Sequence, residues 1–133
     1  MQNKPLTKIL YAEDESDIRE IAQIALEDIG GFSVIMCDNG RELLEKAKNT
    51  HVDLVLLDVM MPEMDGPSTL RALRKLPYYE FLPIIFMTAR VQSDEIEKYK
   101  EMGVIDVITK PFDPMTLAGT ITNIWERHLN HVY

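Results

Sequence analysis

The chain alternates five short apolar runs with five segments of helical spacing, and this alternation restricts its fold more than any other feature. The runs occupy residues 9–12, 34–37, 54–57, 84–87 and 107–108. Short apolar runs that contain β-branched residues are typical of strands buried on both faces. Successive strands separated by helices need right-handed crossovers, which make the strands parallel. The sequence therefore predicts a doubly wound α/β fold with helices on both faces of a five-stranded parallel sheet.

The helical segments carry start and stop signals. Ser16 is a good N-cap for the first helix, and Gly30–Gly31 supplies its C-terminal stop. We expect further helices at residues 43–47, after Pro67, after Ser93 and from Asp113–Pro114 onward. The apolar positions of the first and last helices are Ile18, Ile21, Ala22, Ala25, Ile29, Leu117, Ile121, Ile124 and Trp125. We expect these side chains to face the sheet.

Length and charge limit the classes of protein to which the chain can belong. Its 133 residues fit one domain, so we expect residues 1–133 to form a single unit with no output domain after the last helix. A formal charge of −8 at pH 7 disfavours direct binding to nucleic acid, because phosphates would be repelled. No apolar run approaches the roughly 20 residues that cross a bilayer, and Cys37 is the only cysteine. We therefore expect a cytoplasmic protein without membrane contact.

Polar side chains follow four of the five predicted strands. Glu13 and Asp14 follow the first strand, Asp58 the third, Thr88 the fourth and Lys110 the fifth. Because the carboxyl ends of parallel strands meet at one edge of a sheet, we expect these side chains to share a crevice. Taken singly, each could merely solvate a turn or cap a helix. Asp58 fits that explanation least, because it follows four consecutive aliphatic residues and must be partly desolvated.

The combination of these residues indicates phosphoryl chemistry. Three carboxylates packed together repel, and their charged forms need cations. Mg²⁺ suits such a site because it takes oxygen ligands from one or two carboxylates, carbonyls and water. Lys110 supplies a second positive charge. Carboxylates are nucleophiles toward phosphorus, and phosphoryl transfer depends mainly on positioning and charge neutralisation, so we expect Asp58 to accept a phosphoryl group.

The residues of this site resemble a known family. The segment Leu54–Gly66 is similar to the phosphoacceptor segment of bacterial two-component response-regulator receiver domains. Glu13–Asp14, Thr88–Ala89 and Lys110–Pro111–Phe112 resemble the remaining motifs of the family, in the same order and at the usual spacing. The resemblance covers essentially the whole chain. It implies a flavodoxin-like sheet of strand order 2-1-3-4-5, in a stand-alone receiver like those of chemotaxis regulators.

The resemblance also implies which proteins donate the phosphoryl group and which residues bind Mg²⁺. Asp58 would take the group from a phosphohistidine on a sensor histidine kinase or a phosphotransfer protein. Asp14 and Asp58 would bind Mg²⁺ directly. Glu13 would act through water, and the backbone carbonyl of Met60 would be a further ligand.

Other residues are assigned by the same resemblance to the bound phosphoryl group. Thr88 would donate a hydrogen bond to a phosphoryl oxygen, and Lys110 would form an ion pair with it. Ala89 is small where the family needs space beside the phosphate. Pro111 would follow a cis peptide bond that directs Lys110 inward. Pro62 and Gly66 would shape the loop after Asp58.

Two features depart from the family pattern. The family usually has Tyr or Phe three residues before the lysine, where this chain has Val107. A valine cannot move a large ring between inward and outward rotamers, so the movement of Thr88 and its loop would carry the signal. Met60 and Arg90 occupy positions that flank the route of hydrolytic water in the family. We hypothesise that Met60 screens that route.

Three classes of function remain open from the residues alone. A signalling switch would dock on another protein through the fourth helix, fifth strand and fifth helix, or pass the phosphate onward in a relay. A Mg²⁺-dependent aspartyl-phosphate phosphohydrolase typically has an acid two residues after its nucleophile, but Asp58 is followed by Val59 and Met60. A flavin or nucleotide carrier needs a phosphate cradle after the first strand, where this chain has Glu13–Glu15. We therefore expect a switch that catalyses only its own phosphorylation and dephosphorylation.

Overall fold

A parallel sheet forms the centre of the fold. The structure is a computed structural model that describes residues 4–89 and 92–132. The strands are β1 (Lys8–Ala12), β2 (Ser33–Cys37), β3 (Leu54–Asp58), β4 (Ile84–Thr88) and β5 (Asp106–Thr109). All pairings among these five strands are parallel, in the spatial order β2-β1-β3-β4-β5. The predicted doubly wound sheet and its strand order are therefore confirmed.

Helices connect the strands on both faces of the sheet. They are α1 (Ser16–Gln23), which continues as a π-helical segment over Ile24–Ile29, then α2 (Gly40–Ala47), α3 (Gly66–Leu73), α4 (Ser93–Glu101) and α5 (Leu117–Val132). Among the described residues, none of these helices has the length and apolarity needed to span a membrane.

Hydrophobic side chains pack in one layer on each face of the sheet. Residues of α1 and α5 cluster with Ile9 and Leu56 on one face. Residues of α2, α3 and α4 cluster with Leu10 and Val55 on the other. Every residue of β3 is buried, because this strand has neighbours on both sides and helices on both faces. Asp58, the last residue of β3, is therefore held in a desolvated position.

The first helix differs from the prediction in its buried face. Ala25 and Leu26 lie in the core, whereas Ile21 and Ile29 are 45% and 46% exposed. The backbone N–H of Gly30 donates to the carbonyl of Ala25 at 3.1 Å, a five-residue step that widens the end of the helix. This wider turn rotates Ile29 away from the core. Ile21 lies at the border of the apolar stripe, so the prediction that both isoleucines face the sheet is wrong.

Two helices begin one residue earlier than predicted, and one begins later. Ser16 and Ser93 are the first residues of α1 and α4 rather than their N-caps. Residues 114–116 form turns, so α5 begins at Leu117 and not at Asp113–Pro114. Asp113 still organises this start, because its Oδ1 accepts a hydrogen bond from the backbone N–H of Met115 at 2.9 Å. The predicted buried positions of α5 are confirmed: Leu117, Ile121, Ile124 and Trp125.

Two tyrosines fix the start of the central strand. The Tyr78 hydroxyl donates to the carbonyl of Val52 at 2.8 Å, and the Tyr78 ring stacks on His51 with centroids 4.0 Å apart. The hydroxyl of buried Tyr79 donates to the carbonyl of Thr50. Residues 50–52 lead into β3, so these bonds anchor the edge of the sheet opposite the strand ends where the polar residues lie.

Candidate functional site

Three acidic side chains meet where β1 and β3 end. Glu13 and Asp14 directly follow β1, and Asp58 is the last residue of β3. One carboxylate oxygen from each lies within 4.8 Å of those from the other two. Glu13 is fully buried and Asp58 is 2% exposed. Two desolvated carboxylates so close together need a positive charge beside them.

Lys110 brings a positive charge to the two buried acids. Its ammonium nitrogen lies 2.9 Å from Oε1 of Glu13 and 3.1 Å from Oδ2 of Asp58. The backbone N–H of Lys110 donates to the carbonyl of Thr88 at 2.8 Å, which aligns the ends of β4 and β5. The Lys110–Pro111 peptide bond is cis, as the resemblance implies. A single ammonium group is therefore shared between two carboxylates.

The electrostatics of the site follow from burial and from these neighbouring charges. Burial, together with the negative charge of Glu13, raises the pKa of Asp58 to about 7, although Lys110 opposes the shift. Burial would lower the pKa of Lys110, but its hydrogen bond to Glu13 and the charge of Asp58 outweigh burial and raise that pKa. The acidic cluster thus carries more negative charge than one lysine compensates.

The set of oxygen donors fits a divalent cation. Mg²⁺ prefers carboxylate oxygens and water, and the three carboxylates lie close enough to act together. An ion with two positive charges would also balance the excess negative charge left by Lys110. The residues present are therefore compatible with the magnesium site that the sequence predicts.

The loop after Asp58 is packed tightly against the strand ends. The N–H of Val59 donates to the carbonyl of Met87 at 2.9 Å, and the N–H of Gly66 donates to the carbonyl of Val59 at 3.0 Å. A Cβ atom on Gly66 would lie only 2.8 Å from the carbonyl oxygen of Asp58, so the close approach requires glycine. The Met60 side chain is 66% exposed, and its backbone N–H donates to Oδ1 of Asp58 at 3.3 Å.

The remaining predicted site residues lie on or beside β4 and β5. Thr88 is 1% exposed and follows Met87, which pairs in register with Asp58. Val107 is partly buried and packs against the hydrophobic layer on the α2, α3 and α4 face. Ala89 is exposed and directly follows β4. Arg90 lies outside the described residues.

Tyr11 was not among the predicted site residues. This residue lies on β1, two residues before Glu13, and its side chain is fully buried. Its hydroxyl is buried without a hydrogen-bond partner in the part of the chain that the structure describes. Burial and the charges of Glu13 and Asp58 raise its pKa, so the hydroxyl keeps its proton. The one signal in the sequence is a polar-tipped aromatic residue in an otherwise aliphatic strand, next to the acids.

Comparison with known proteins decides which family has this combination of sheet and site. The family model described as the response regulator receiver domain matches residues 9–122. The chain belongs to the response regulator receiver domain family. It is therefore a phosphoacceptor domain of two-component signalling, and receiver domains are signalling switches rather than conventional enzymes. The switch is thus supported over the phosphohydrolase alternative.

Individual relatives agree with this assignment. The response regulator Rre1 of Synechocystis sp. is 36% identical over 120 residues, which cover 90% of this chain and 52% of that protein. The transcriptional regulatory protein CseB of Streptomyces coelicolor is 37% identical over 121 residues, which cover 91% of this chain and 50% of that protein. The chain thus spans about half the length of these two relatives.

A solved structure shows the same fold. The chemotaxis response regulator CheY4 of Vibrio cholerae superimposes with a TM-score of 0.83 at 32% sequence identity. The match covers 90% of this chain and 99% of that one. The receiver therefore has the chemotaxis-regulator type of fold over nearly all of its length.

Proposed function

We propose that Asp58 is the phosphoacceptor of this receiver and that it takes a phosphoryl group from a histidine kinase or phosphotransfer protein. The observation that carries the proposal is the position of Asp58: a buried carboxylate 3.1 Å from the Lys110 ammonium and beside two further acids. In the reaction an Asp58 oxygen attacks phosphorus, and the bond between phosphorus and the donor histidine nitrogen breaks. The electron pair of that bond stays on the imidazole, which takes up a proton.

The acids around Asp58 would hold the metal. We assign Asp14 and Asp58 as direct ligands, Glu13 as a ligand through water and the Met60 carbonyl as a further ligand. When bound, Mg²⁺ neutralises charge on the phosphoryl oxygens. The pKa of Asp58, raised to about 7, supports the assignment. Burial and the neighbouring acid make the charged form of this carboxylate unfavourable, and a bound cation would stabilise that charged form, which is the nucleophile.

Lys110 and Thr88 would stabilise the product. Lys110 is shared by two carboxylates, so a phosphoryl group on Asp58 offers it a new anion within short reach. Thr88, buried at the end of β4, would donate its hydroxyl to a phosphoryl oxygen. The domain would in this way promote its own phosphorylation and its own dephosphorylation, without turning over other substrates.

The output surface would be the face formed by α4, β5 and α5. No described residue of α4 is fully buried, and Tyr99 of this helix packs partly buried against Phe86 of β4, so the helix would respond to a change at β4. Asp106 on β5 lies 3.8 Å from the Lys100 ammonium of α4 and 3.7 Å from an Arg127 guanidinium nitrogen of α5. These ion pairs connect the three elements at the surface, where a protein partner would detect their rearrangement.

We also propose a cytoplasmic location. Cys37 is a free, buried thiol, as expected in a reducing compartment.

The decisive experiment treats the protein with acetyl phosphate and Mg²⁺ and maps the modified residue by mass spectrometry. We expect one phosphoryl group on Asp58 and none on the Asp58→Asn variant. Asp94→Asn changes an exposed acid of α4 and serves as the matched control, which should be phosphorylated at the wild-type rate. Phosphorylation of Asp58→Asn at the wild-type rate would show that the acceptor is another residue.

A further inference from the structure

The Tyr11 hydroxyl is a buried polar group that the proposed function leaves unexplained. It makes no hydrogen bond within the described part of the chain, although the side chain is fully buried. A hydroxyl in this state has lost its hydrogen bonds to water without replacement, which destabilises the fold. Native structures hold few such groups, and each one requires an explanation.

The position of Tyr11 relates this hydroxyl to the acidic cluster. Side chains two residues apart in an extended strand point to the same face. Glu13 directly follows β1 and continues its pairing with β2, so it lies on the same face as Tyr11. Tyr11 pairs in register with Leu56 of β3, which lies two residues before Asp58. Both acids influence the hydroxyl electrostatically, and Glu13 does so more strongly. The hydroxyl is therefore a hydrogen-bond donor on the side of the sheet that carries the two acids.

The hydrogen bonds of Glu13 show when this donor would be needed. Oε1 of Glu13 accepts from the Lys110 ammonium at 2.9 Å, and Oε2 accepts from the N–H of Glu15 at 3.2 Å. In the proposed function Lys110 turns toward a phosphoryl group on Asp58. Oε1 then loses this charged donor while Glu13 remains buried. The metal-bound water that Glu13 would hold and the N–H of Glu15 leave part of the carboxylate's acceptor capacity open, so a further donor would stabilise it.

We propose that the Tyr11 hydroxyl donates a hydrogen bond to the Glu13 carboxylate when Lys110 turns toward a phosphoryl group on Asp58. The inference rests on the proposed function for the event that moves Lys110. It makes Tyr11 a positioning residue, which keeps Glu13 satisfied and correctly oriented in the phosphorylated domain. In the unphosphorylated domain each Glu13 oxygen already accepts one hydrogen bond, and the Tyr11 hydroxyl makes none within the described part of the chain.

A first experiment compares two tyrosine variants with and without Mg²⁺ and beryllofluoride, a mimic of the phosphoryl group. Tyr11→Phe should leave the unliganded protein as stable as wild type or slightly more stable, but should bind the mimic about tenfold more weakly. Tyr79→Phe is the matched control, because it removes a buried hydroxyl that already has a partner far from the site. It should lower stability equally with and without the mimic and leave the affinity unchanged.

A second experiment needs no phosphoryl group. Lys110→Met permanently removes the donor to Oε1 of Glu13, so Tyr11 should donate to Glu13 in the unliganded protein. We expect Tyr11→Phe to be harmless in the wild-type background and destabilising in the Lys110→Met background, when unfolding by urea is measured at pH 9. Additive effects of the two substitutions would overturn the inference about Tyr11. A wild-type protein that binds no mimic would overturn the proposed function instead, so the two failures are distinguishable.

Discussion

The ammonium nitrogen of Lys110 lies 3.1 Å from Oδ2 of Asp58, and the same nitrogen lies 2.9 Å from Oε1 of Glu13. The unphosphorylated site is therefore organised around one cation and two buried anions. A phosphoryl group on Asp58 would add negative charge on the outer side of this cluster, and the lysine would be drawn toward it. This rearrangement would link the chemistry at Asp58 to movement at the ends of β4 and β5, because the backbone N–H of Lys110 donates to the carbonyl of Thr88.

Lys110→Ala should separate metal binding from signalling. Because the ammonium is not a metal ligand, Mg²⁺ binding should be retained, whereas the spectral changes that beryllofluoride produces in α4 and β5 should be largely lost. Magnesium titration and backbone NMR shifts measure the two effects. Lys75→Ala, a change at an exposed lysine of the segment after α3, is the control and should behave as wild type. Loss of Mg²⁺ binding in Lys110→Ala would contradict the assigned role.

Asp14→Ala should weaken Mg²⁺ binding by at least about tenfold, because it removes one of the three carboxylates that would hold the ion. Isothermal titration calorimetry provides the measurement. Asp17→Ala removes an exposed acid in the first turn of α1 and should keep wild-type affinity. Equal affinities for the two variants would mean that the ion binds somewhere else.

Met60→Asn should shorten the lifetime of the phosphoryl group. The Met60 side chain is 66% exposed and lies in the loop that follows Asp58, where its bulk would keep water from the phosphoryl group. The half-life of the phosphorylated protein, followed by loss of labelled phosphate, tests this. Met115→Asn replaces a methionine of similar exposure, 70%, in the turns before α5, and it should have no effect. An unchanged half-life in Met60→Asn would exclude the screening role.

Asp58→Asn should stabilise the metal-free protein in a pH-dependent manner. The pKa of Asp58 is about 7 in the folded protein against an ordinary value of 3.8, so between pH 4 and 7 the folded state binds a proton that the unfolded state releases. Stability from this group therefore falls as pH rises through that window and is constant above it. The gain of the Asn variant over wild type should grow to about 2 to 4 kcal/mol by pH 8.

Urea unfolding in the presence of a chelator measures this gain at a series of pH values. Asp94→Asn, the same substitution at an exposed position, should show no such trend. A constant difference between Asp58→Asn and wild type from pH 4 to 8 would mean that Asp58 is already ionised at low pH.

Much of the fold was predictable because its determinants are local. The buried strand β3 is a run of aliphatic residues, and its end at Asp58 follows from the change to polar residues. The wide turn at the end of the first helix was not predictable, because Ile29 keeps regular α-helical spacing in the sequence. Its exposure depends on the hydrogen bond that the N–H of Gly30 donates to the carbonyl of Ala25, five residues earlier. Gly30 can lie there because a Cβ atom at this position would come within 2.7 Å of the Cβ of Ala118.

The candidate site was predictable in its residue types but not in its hydrogen bonds. The strand ends bring Glu13, Asp58 and Lys110 to one edge in any sheet of this topology. Lys110 contacts two carboxylates at once, and one of them, Glu13, lies 97 residues away in the sequence. No local sequence pattern encodes such a contact. The unsatisfied hydroxyl of Tyr11 likewise depends on which side chains fill the layer around it, which a single sequence does not specify.

Tyr78 and Tyr79 anchor the segment before β3. The two ends of the sheet therefore differ in how firmly the central strand is held. At the far end, two hydroxyl bonds and a ring stack hold residues 50–52. Strain created by a charged adduct on Asp58 therefore cannot relax by sliding the central strand along its axis. It would be released sideways, at the ends of β3, β4 and β5, beside the surface that we propose a partner recognises.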